Sequence, residues 1–223
     1  SYSFLQKWFP FRIDFPRENF GALPGHIKFA NSTLAYMTEE IIRVENLYKI
    51  FGHSPQEAMK MLDKGMDKEE IFKETGMTVG VQDANFSVRT GEIFVVMGLS
   101  GSGKSTLVRM LNRLIEITSG AVFVNGRNVA DLNQKELTEL RRTQMSMVFQ
   151  SFALMPHLSV IDNAAFGLAL AKVEKTKQQE RAMEALEQVG LGAWADSFPH
   201  ELSGGMQQRV GLARALAADP DFL

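Results

Sequence analysis

The fold of this chain is decided by one segment, Ile93-Phe94-Val95-Val96-Met97-Gly98-Leu99-Ser100-Gly101-Ser102-Gly103-Lys104-Ser105. Its second half matches the pattern G-x-x-x-x-G-K-[ST], in which glycines let backbone N–H groups converge on phosphate oxygens. Its first half is a continuous apolar run, which is typical of a central parallel strand buried on both faces. A helical pattern follows from Thr106 to Leu114. This order of strand, loop and helix predicts an α/β fold that binds a nucleotide.

The chemistry of this phosphate loop favours ATP together with Mg²⁺. The side chain of Lys104 can reach the β- and γ-phosphates, and the hydroxyl of Ser105 can bind the metal ion. The positive end of the following helix points at the same anion. The predicted ATP-binding residues of the loop are Gly98, Leu99, Ser100, Gly101, Ser102, Gly103, Lys104, Ser105 and Thr106.

Composition excludes several classes of protein. The 223 residues are 45% hydrophobic and 22% charged with a net charge of −2, as in ordinary globular proteins. A nucleic-acid partner is not expected, because the chain is not basic. The absence of cysteine excludes disulfides and thiolate metal sites. No apolar run is long enough to predict a membrane span, so any membrane role must come through a partner.

Residues 1–36 differ from the rest of the chain. They are rich in phenylalanine and are interrupted by Pro10, Pro16 and Pro24, so neither helical nor strand periodicity persists. Composition favours Met37 as the natural start, with 1–36 as upstream sequence translated in error. The alternative is an aromatic arm that packs on the domain or on a partner.

The remaining patterns alternate between strands and helices. Ser54-Pro55 and Asp67 each begin a short helix in an insertion at 53–76, with Ser54 and Asp67 as caps of the capping-box type. Asn125-Gly126 predicts a tight hairpin turn between Ala121 and Val129. Strands are also expected at Ile41–Val44, Val79–Val88 and Met145–Phe149, and helices at 134–143, within 159–189 and at 205–218.

Three further segments narrow the class of nucleotide-binding protein. Leu202-Ser203-Gly204-Gly205-Met206-Gln207-Gln208-Arg209 places a helix cap and open backbone N–H groups downstream of the phosphate loop. Gln150 ends a predicted strand between those two motifs. Phe51, in Lys49-Ile50-Phe51-Gly52, precedes the insertion. Taken singly, these features would be interpreted as a helix cap, a polar strand end and a core residue.

Together with the phosphate loop, these segments resemble the motifs of the ABC ATPases, and the resemblance covers Ile41 to Leu223. In that family the signature motif usually has Gln at the position of Met206, which affects subfamily rather than membership. The resemblance implies that Gln150 contacts Mg²⁺ and senses a transmembrane partner, and that Phe51, or alternatively Tyr48, stacks on adenine. The implied signature residues, which cap the ATP of a second subunit, are Leu202, Ser203, Gly204, Gly205, Met206 and Gln207.

The resemblance implies a P-loop NTPase fold with an antiparallel β-subdomain and a helical subdomain, within a domain at 37–223. It also implies a homodimer of ATPase subunits at the cytoplasmic face of the membrane, an integral membrane permease and, indirectly, a substrate-binding protein. Within the family, the insertion and the run Leu202–Ala217 are most similar to the ATPase subunits of glycine betaine/proline importers. An apolar segment at 149–167, expected to be exposed, would dock on the permease.

The family places its hydrolytic residues further along than this sequence reaches. An Asp for Mg²⁺ and a Glu for water activation end the strand that begins at Asp221, and a switch His follows. Neither His157 nor His200 occupies that position. We therefore expect an incomplete domain that binds ATP weakly and hydrolyses it at the background rate. The alternatives are another ABC importer ATPase, such as the amino-acid type, a soluble ABC ATPase and a nucleotide-binding interaction module.

Overall fold

The computed structural model describes residues 39–149 and 153–223. The segment 1–36 and Gln150 lie outside the described residues. Four strands form one antiparallel sheet in the order β2-β1-β3-β4. They are β1 (Glu40–Phe51), β2 (Thr78–Arg89), β3 (Ser119–Val124) and β4 (Arg127–Asn128). The predicted strands at 41–44 and 79–88 are thus confirmed, and the first extends as far as Phe51.

The hairpin between β3 and β4 turns at Asn125-Gly126, as predicted. Both residues have positive φ, 48° for Asn125 and 73° for Gly126. Positive φ at both central positions defines the turn whose twist matches that of two antiparallel strands. The turn is also tied to the end of the chain, because the Asn125 side-chain amide donates to Asp221 Oδ2 at 3.0 Å.

The predicted helices form, but α3 spans Lys104–Leu111 and not the predicted Thr106–Leu114, because Asn112 is its C-cap. Helix α4 has the predicted bounds, and α7 begins one residue earlier than expected because Ser203 caps it. The described helices are α1 (Pro55–Asp63), α2 (Lys68–Thr75), α3 (Lys104–Leu111), α4 (Gln134–Thr143), α5 (Val160–Leu170), α6 (Lys175–Gln188) and α7 (Gly204–Ala217). None of them, within the described parts of the chain, combines the length and apolar character that a membrane span requires.

The insertion consists of α1 and α2, but only one of its two predicted caps forms. Asp67 accepts hydrogen bonds from the backbone of Glu69 and Glu70, both at 2.8 Å, and Glu70 bonds back to the Asp67 N–H. Ser54 makes no side-chain capping bond, so that prediction was wrong. Proline at the next position already lacks an N–H and fixes φ, so α1 begins without the hydroxyl.

Two larger cores organise the rest of the described chain. One joins the sheet to α3 and α4 and is built around Val44, Val122, Met110 and Leu140. The other joins α5, α6 and α7 and contains no strand residue. The two cores correspond to the expected antiparallel and helical subdomains. A small third cluster, made by Ile50, Ala58, Ile71 and Met77, fastens the insertion to the adjoining ends of β1 and β2.

The run Ile93–Met97 is not the buried central strand that its composition predicts. It carries no strand pairing, and its side chains are open to solvent, with Met97 85% exposed. Phe94 is partly sheltered because its ring stacks on Phe86 of β2, with centroids 4.7 Å apart. A parallel strand needs a hydrogen-bonded neighbour on its edge, and no described residue supplies one.

Residues 145–149 also fall short of the predicted strand. Met145 forms a single parallel bridge with Phe222, supported by the Ser146 N–H donating to the Phe222 carbonyl at 3.0 Å. Val148 and Phe149 remain exposed beyond the bridge. The parallel pairing therefore consists of one residue on each side.

Most apolar residues of 153–167 are not exposed, which corrects the expected docking surface over this part of 149–167. Val160, Ala164 and Ala165 lie in the helical core, as does Leu168 just beyond the segment. The apolar pattern of α5 thus packs α5 against α6 and α7. Phe149, at the start of the segment, is exposed.

A buried asparagine on α5 organises the loop before it. Asn163 is fully buried, and its side chain bonds the Met155 N–H at 2.8 Å and the carbonyls of Met155, Leu158 and Ser159 at 3.0 Å. One side chain therefore makes four hydrogen bonds to backbone groups of the turn at 155–159. Arg214 of α7 holds the near side of this loop through the Ala153 carbonyl at 2.8 Å.

Replacing Asn163 with Ala should lower the free energy of unfolding by about 1–3 kcal/mol, because the loop groups lose their partner in a buried site. Urea denaturation measures the change. Gln188→Ala, at the exposed end of α6, is the control and should shift stability by less than about 0.5 kcal/mol. Equal stability of the two variants would show that Asn163 does not hold the loop.

Candidate functional site

The phosphate loop turns sharply before α3 begins. The Ser102 N–H donates to the Leu99 carbonyl at 3.2 Å, and Gly101 and Gly103 have positive φ of 79° and 89°. Gly103 serves as the N-cap of α3, which starts at Lys104. The unpaired N–H groups of the first helical turn thus face the same space as the loop, as a phosphate site requires.

Lys104 is folded into its own loop. Its ammonium donates to the carbonyls of Gly98 and Leu99, both at 2.7 Å, and to the Ser102 hydroxyl at 3.3 Å. These three acceptors match the three donors of a lysine ammonium. The positive charge is therefore held at the centre of the loop, where phosphate oxygens can take over some of the acceptor positions.

The phosphate loop lies directly against β2. A Cβ built on Gly103 would collide with the carbonyl oxygen of Gly80, so these two backbones meet where no side chain fits. Glycine is required at Gly103 for this contact as well as for its positive φ. The contact places the start of α3 next to β2, whose first residues pair with the end of β1.

Phe51 stands at the end of β1 and also packs against Gly80. A Cβ at Gly80 would lie 2.8 Å from the edge of the Phe51 ring. The ring is 40% exposed, and the Lys49 ammonium lies 5.0 Å from its centroid. Gly80 therefore joins the aromatic ring to the phosphate loop. Sequence analysis missed this residue, although a glycine inside a strand is a signal of close backbone approach.

Tyr48, the other candidate for adenine stacking, has a different setting. Burial raises the pKa of its hydroxyl, and the carboxylates of Asp83 and Asp63 raise it further. Acidic neighbours disfavour an anionic ligand beside this ring. Of the two aromatic residues, Phe51 is the one that packs on Gly80 beside the phosphate loop.

The described residues offer few ligands for a metal ion. Within 39–149 and 153–223, no cluster of three or more His, Cys, Asp or Glu side chains could hold one. Ser105, the second residue of α3, presents an exposed hydroxyl. One hydroxyl fits an ion such as Mg²⁺ that keeps waters and takes other ligands from the phosphates of its substrate.

The signature residues form the start of α7. The hydroxyl of Ser203 accepts from the Met206 N–H at 3.3 Å, and Ser203, Gly204 and Gly205 are exposed. Gln207 ties this helix start to the preceding turn through the carbonyls of Pro199 and Leu202, at 2.8 and 3.2 Å. The 14-residue helix α7 therefore presents an exposed N-terminus, and the hydrogen bonds of Gln207 fix its position.

The structure brings some predicted site residues together and keeps others apart. Phe51 and the phosphate loop meet at Gly80. The signature residues belong to α7, whose buried face lies in the helical core, whereas α3 packs on the sheet. The two halves of the predicted ATP site are thus carried by different packing units of the chain.

Comparison with known proteins shows which protein family the chain belongs to. A family model described as "ABC transporter" matches residues 81–223. The chain belongs to the ABC transporter family. The match includes the phosphate loop and the signature residues, and it begins after the insertion.

Curated members of the ABC transporter family resemble the chain over most of its length. It is 57% identical over 182 residues to the glycine betaine/proline betaine transport system ATP-binding protein ProV of Salmonella typhimurium. It is 55% identical to the glycine betaine/carnitine transport ATP-binding protein GbuA of Listeria monocytogenes. Each alignment covers 82% of this chain and 46% of the relative, so the chain spans about half the length of these proteins.

Solved structures of ABC transporter cassettes share the fold. The dimeric structure of the cassette MJ0796 aligns with a TM-score of 0.65 at 32% identity, covering 80% of this chain and 70% of that one. A dimeric post-hydrolysis state of MJ0796 bound to ADP and Pi aligns with a TM-score of 0.66 at 31% identity. The subdomain arrangement of this chain is therefore that of an ABC ATPase cassette.

Replacing Gly80 with Ala should weaken ATP binding about three- to tenfold, because the added methyl displaces the Phe51 ring and an aromatic stack is worth about 1 kcal/mol. Fluorescence titration with a labelled ATP measures the affinity. Gly167→Ala is the matched control, since a Cβ there meets nothing within 4 Å. An unchanged affinity in Gly80→Ala would show that the Phe51 ring does not contribute to nucleotide binding.

Proposed function

We propose that this chain belongs to the ATP-binding subunit that energises uptake of glycine betaine, proline or a related quaternary amine by an ABC importer. The observation that carries the proposal is the phosphate loop held against β2, with Lys104 at its centre. The solute class rests on similarity. Identity is 54–57% to ATP-binding proteins for glycine betaine transport and 48% to those for trimethylamine N-oxide.

In this proposal, ATP binds beside the contact between Gly80 of β2 and Gly103, the N-cap of α3. Phe51 stacks on the base, and the loop N–H groups with Lys104 hold the phosphates. Ser105 and Gln150 are the proposed protein ligands of Mg²⁺, which neutralises phosphate charge when it is bound. The remaining loop residues and Thr106 surround the phosphates with backbone donors.

The proposed partner across the ATP is a second copy of the subunit. Ser203, Gly204 and Gly205 are exposed at the N-terminus of α7, where a helix favours an anion. Because their packing unit differs from that of the phosphate loop, a head-to-tail dimer can complete each site with both halves. Related cassettes of known structure are dimeric.

The proposed location is the cytoplasmic face of the membrane, on an integral membrane permease that receives solute from a substrate-binding protein. The turn at 155–159 is the proposed contact with the permease. Asn163 holds this turn from the helical core, so movement of that core on ATP binding would move the turn as well.

Lys104→Ala should lower the affinity of the chain for ATP at least about tenfold, because a charge-assisted bond to phosphate contributes about 1.5–3 kcal/mol. Isothermal titration calorimetry measures the dissociation constant. Lys135→Ala removes an exposed lysine near the start of α4 and is the matched control. If both variants bind ATP equally well, Lys104 is not a phosphate ligand.

The solute class is tested by uptake in cells. A strain expressing the whole protein that contains this chain should take up labelled glycine betaine at high osmolarity, and Lys104→Ala should abolish that uptake. Labelled methionine is the control solute and should enter at the same rate in both strains. Betaine uptake that is indifferent to Lys104→Ala would contradict the proposal.

A further inference from the structure

An open cleft of about 420 Å³ lies between the insertion and the phosphate loop. Its wall on the insertion side is α2, which contributes Lys68, Glu69, Phe72 and Lys73. Its other side is formed by β2 at Val79 and by Gly101 at the tip of the phosphate loop. A cleft of this volume falls in the range of small-molecule sites.

The four α2 residues in this wall share one face of the helix. Residues four apart, such as Lys68 and Phe72 or Glu69 and Lys73, lie one above the other on a helix. Ile71 points instead into the small core under the insertion and is fully buried there. With the Asp67 capping box at its start, α2 is fixed in orientation, and its Lys68–Lys73 face is presented to the cleft.

The cleft reaches the tip of the phosphate loop at Gly101. A Cβ at Gly101 would meet nothing within 4 Å, so the loop tip borders free space. Neither Lys68 nor Lys73 makes an ion pair with a residue in the described parts of the chain. The lining residues themselves carry two ammonium groups and one carboxylate, that of Glu69, whereas Asp67, Glu70 and Glu74 of the same segment do not line the cleft.

Phe72 supplies the apolar part of the same wall. Its side chain is 55% exposed at a position flanked by the two lysines. A wall that combines an exposed aromatic ring with flanking ammonium groups fits a ligand with an apolar body and a polyanionic tail. A nucleoside triphosphate has this chemistry.

We infer that α2 of the insertion is a second wall of the nucleotide site, with Lys68 and Lys73 engaging the phosphate chain of ATP held by the loop. The inference rests on the proposed ATP binding and adds cationic ligands outside the phosphate loop. It gives the insertion a role in nucleotide affinity, whereas a purely structural insertion would leave affinity unchanged.

The test compares two double variants of the full chain by calorimetric titration with ATP. Lys68→Ala/Lys73→Ala removes both cleft lysines. Lys60→Ala/Lys64→Ala removes two exposed lysines of the same insertion that do not line the cleft, so the change in net charge is identical. The cleft variant should bind ATP about tenfold more weakly than the control. Equal affinities of the two double variants would overturn the inference.

Two further titrations separate this inference from the proposed function. Adenosine lacks the phosphate chain, so its affinity should be the same in both double variants; an equal loss for adenosine would overturn the assignment to phosphate. The ATP affinity of Lys104→Ala shows separately whether the phosphate loop binds ATP. If Lys104→Ala weakens ATP binding and the cleft variant does not, the inference fails while the proposed function stands. If Lys104→Ala has no effect, the proposed function itself fails.

Discussion

The contact between Gly103 and the carbonyl of Gly80 is the constraint on which the site depends. It brings the phosphate loop onto β2 at a distance that no side chain would allow. Since β2 pairs with β1, the same contact fixes where Phe51 stands relative to the loop. The insertion leaves from the end of β1 and returns at the start of β2, so α2 is brought beside the loop by the same strands.

The division of the described chain into two larger cores has a direct functional consequence. The phosphate loop is supported by the sheet, and the open N-terminus of α7 is supported by the helical core. A binding site whose halves belong to separate packing units can be closed by a second copy of the chain. In the proposed dimer ATP would lie between the two subunits, and the buried Asn163 would couple motion of the helical core to the turn at 155–159.

Local signals predicted most of the elements, and long-range pairing accounts for the errors. The bounds of α4, the cap at Asp67 and the turn at Asn125-Gly126 follow from side-chain chemistry within a few residues. The run Ile93–Met97 has the composition of a buried strand, but composition does not supply a neighbouring strand. In the site, the phosphate loop was readable from its motif, whereas the part played by Gly80 depends on two backbones that are distant in sequence.

Amide hydrogen exchange with and without ATP tests the central claim most directly. If the loop, β2 and α2 form one nucleotide site, ATP should protect the amides of 98–106 together with those of 78–80 and 68–73. The amides of 204–206 should stay unprotected at protein concentrations where the chain is monomeric, because they are proposed to serve the site of a second copy. Protection that is absent from 98–106, or that is confined to those residues while 78–80 exchange as before, would contradict the account.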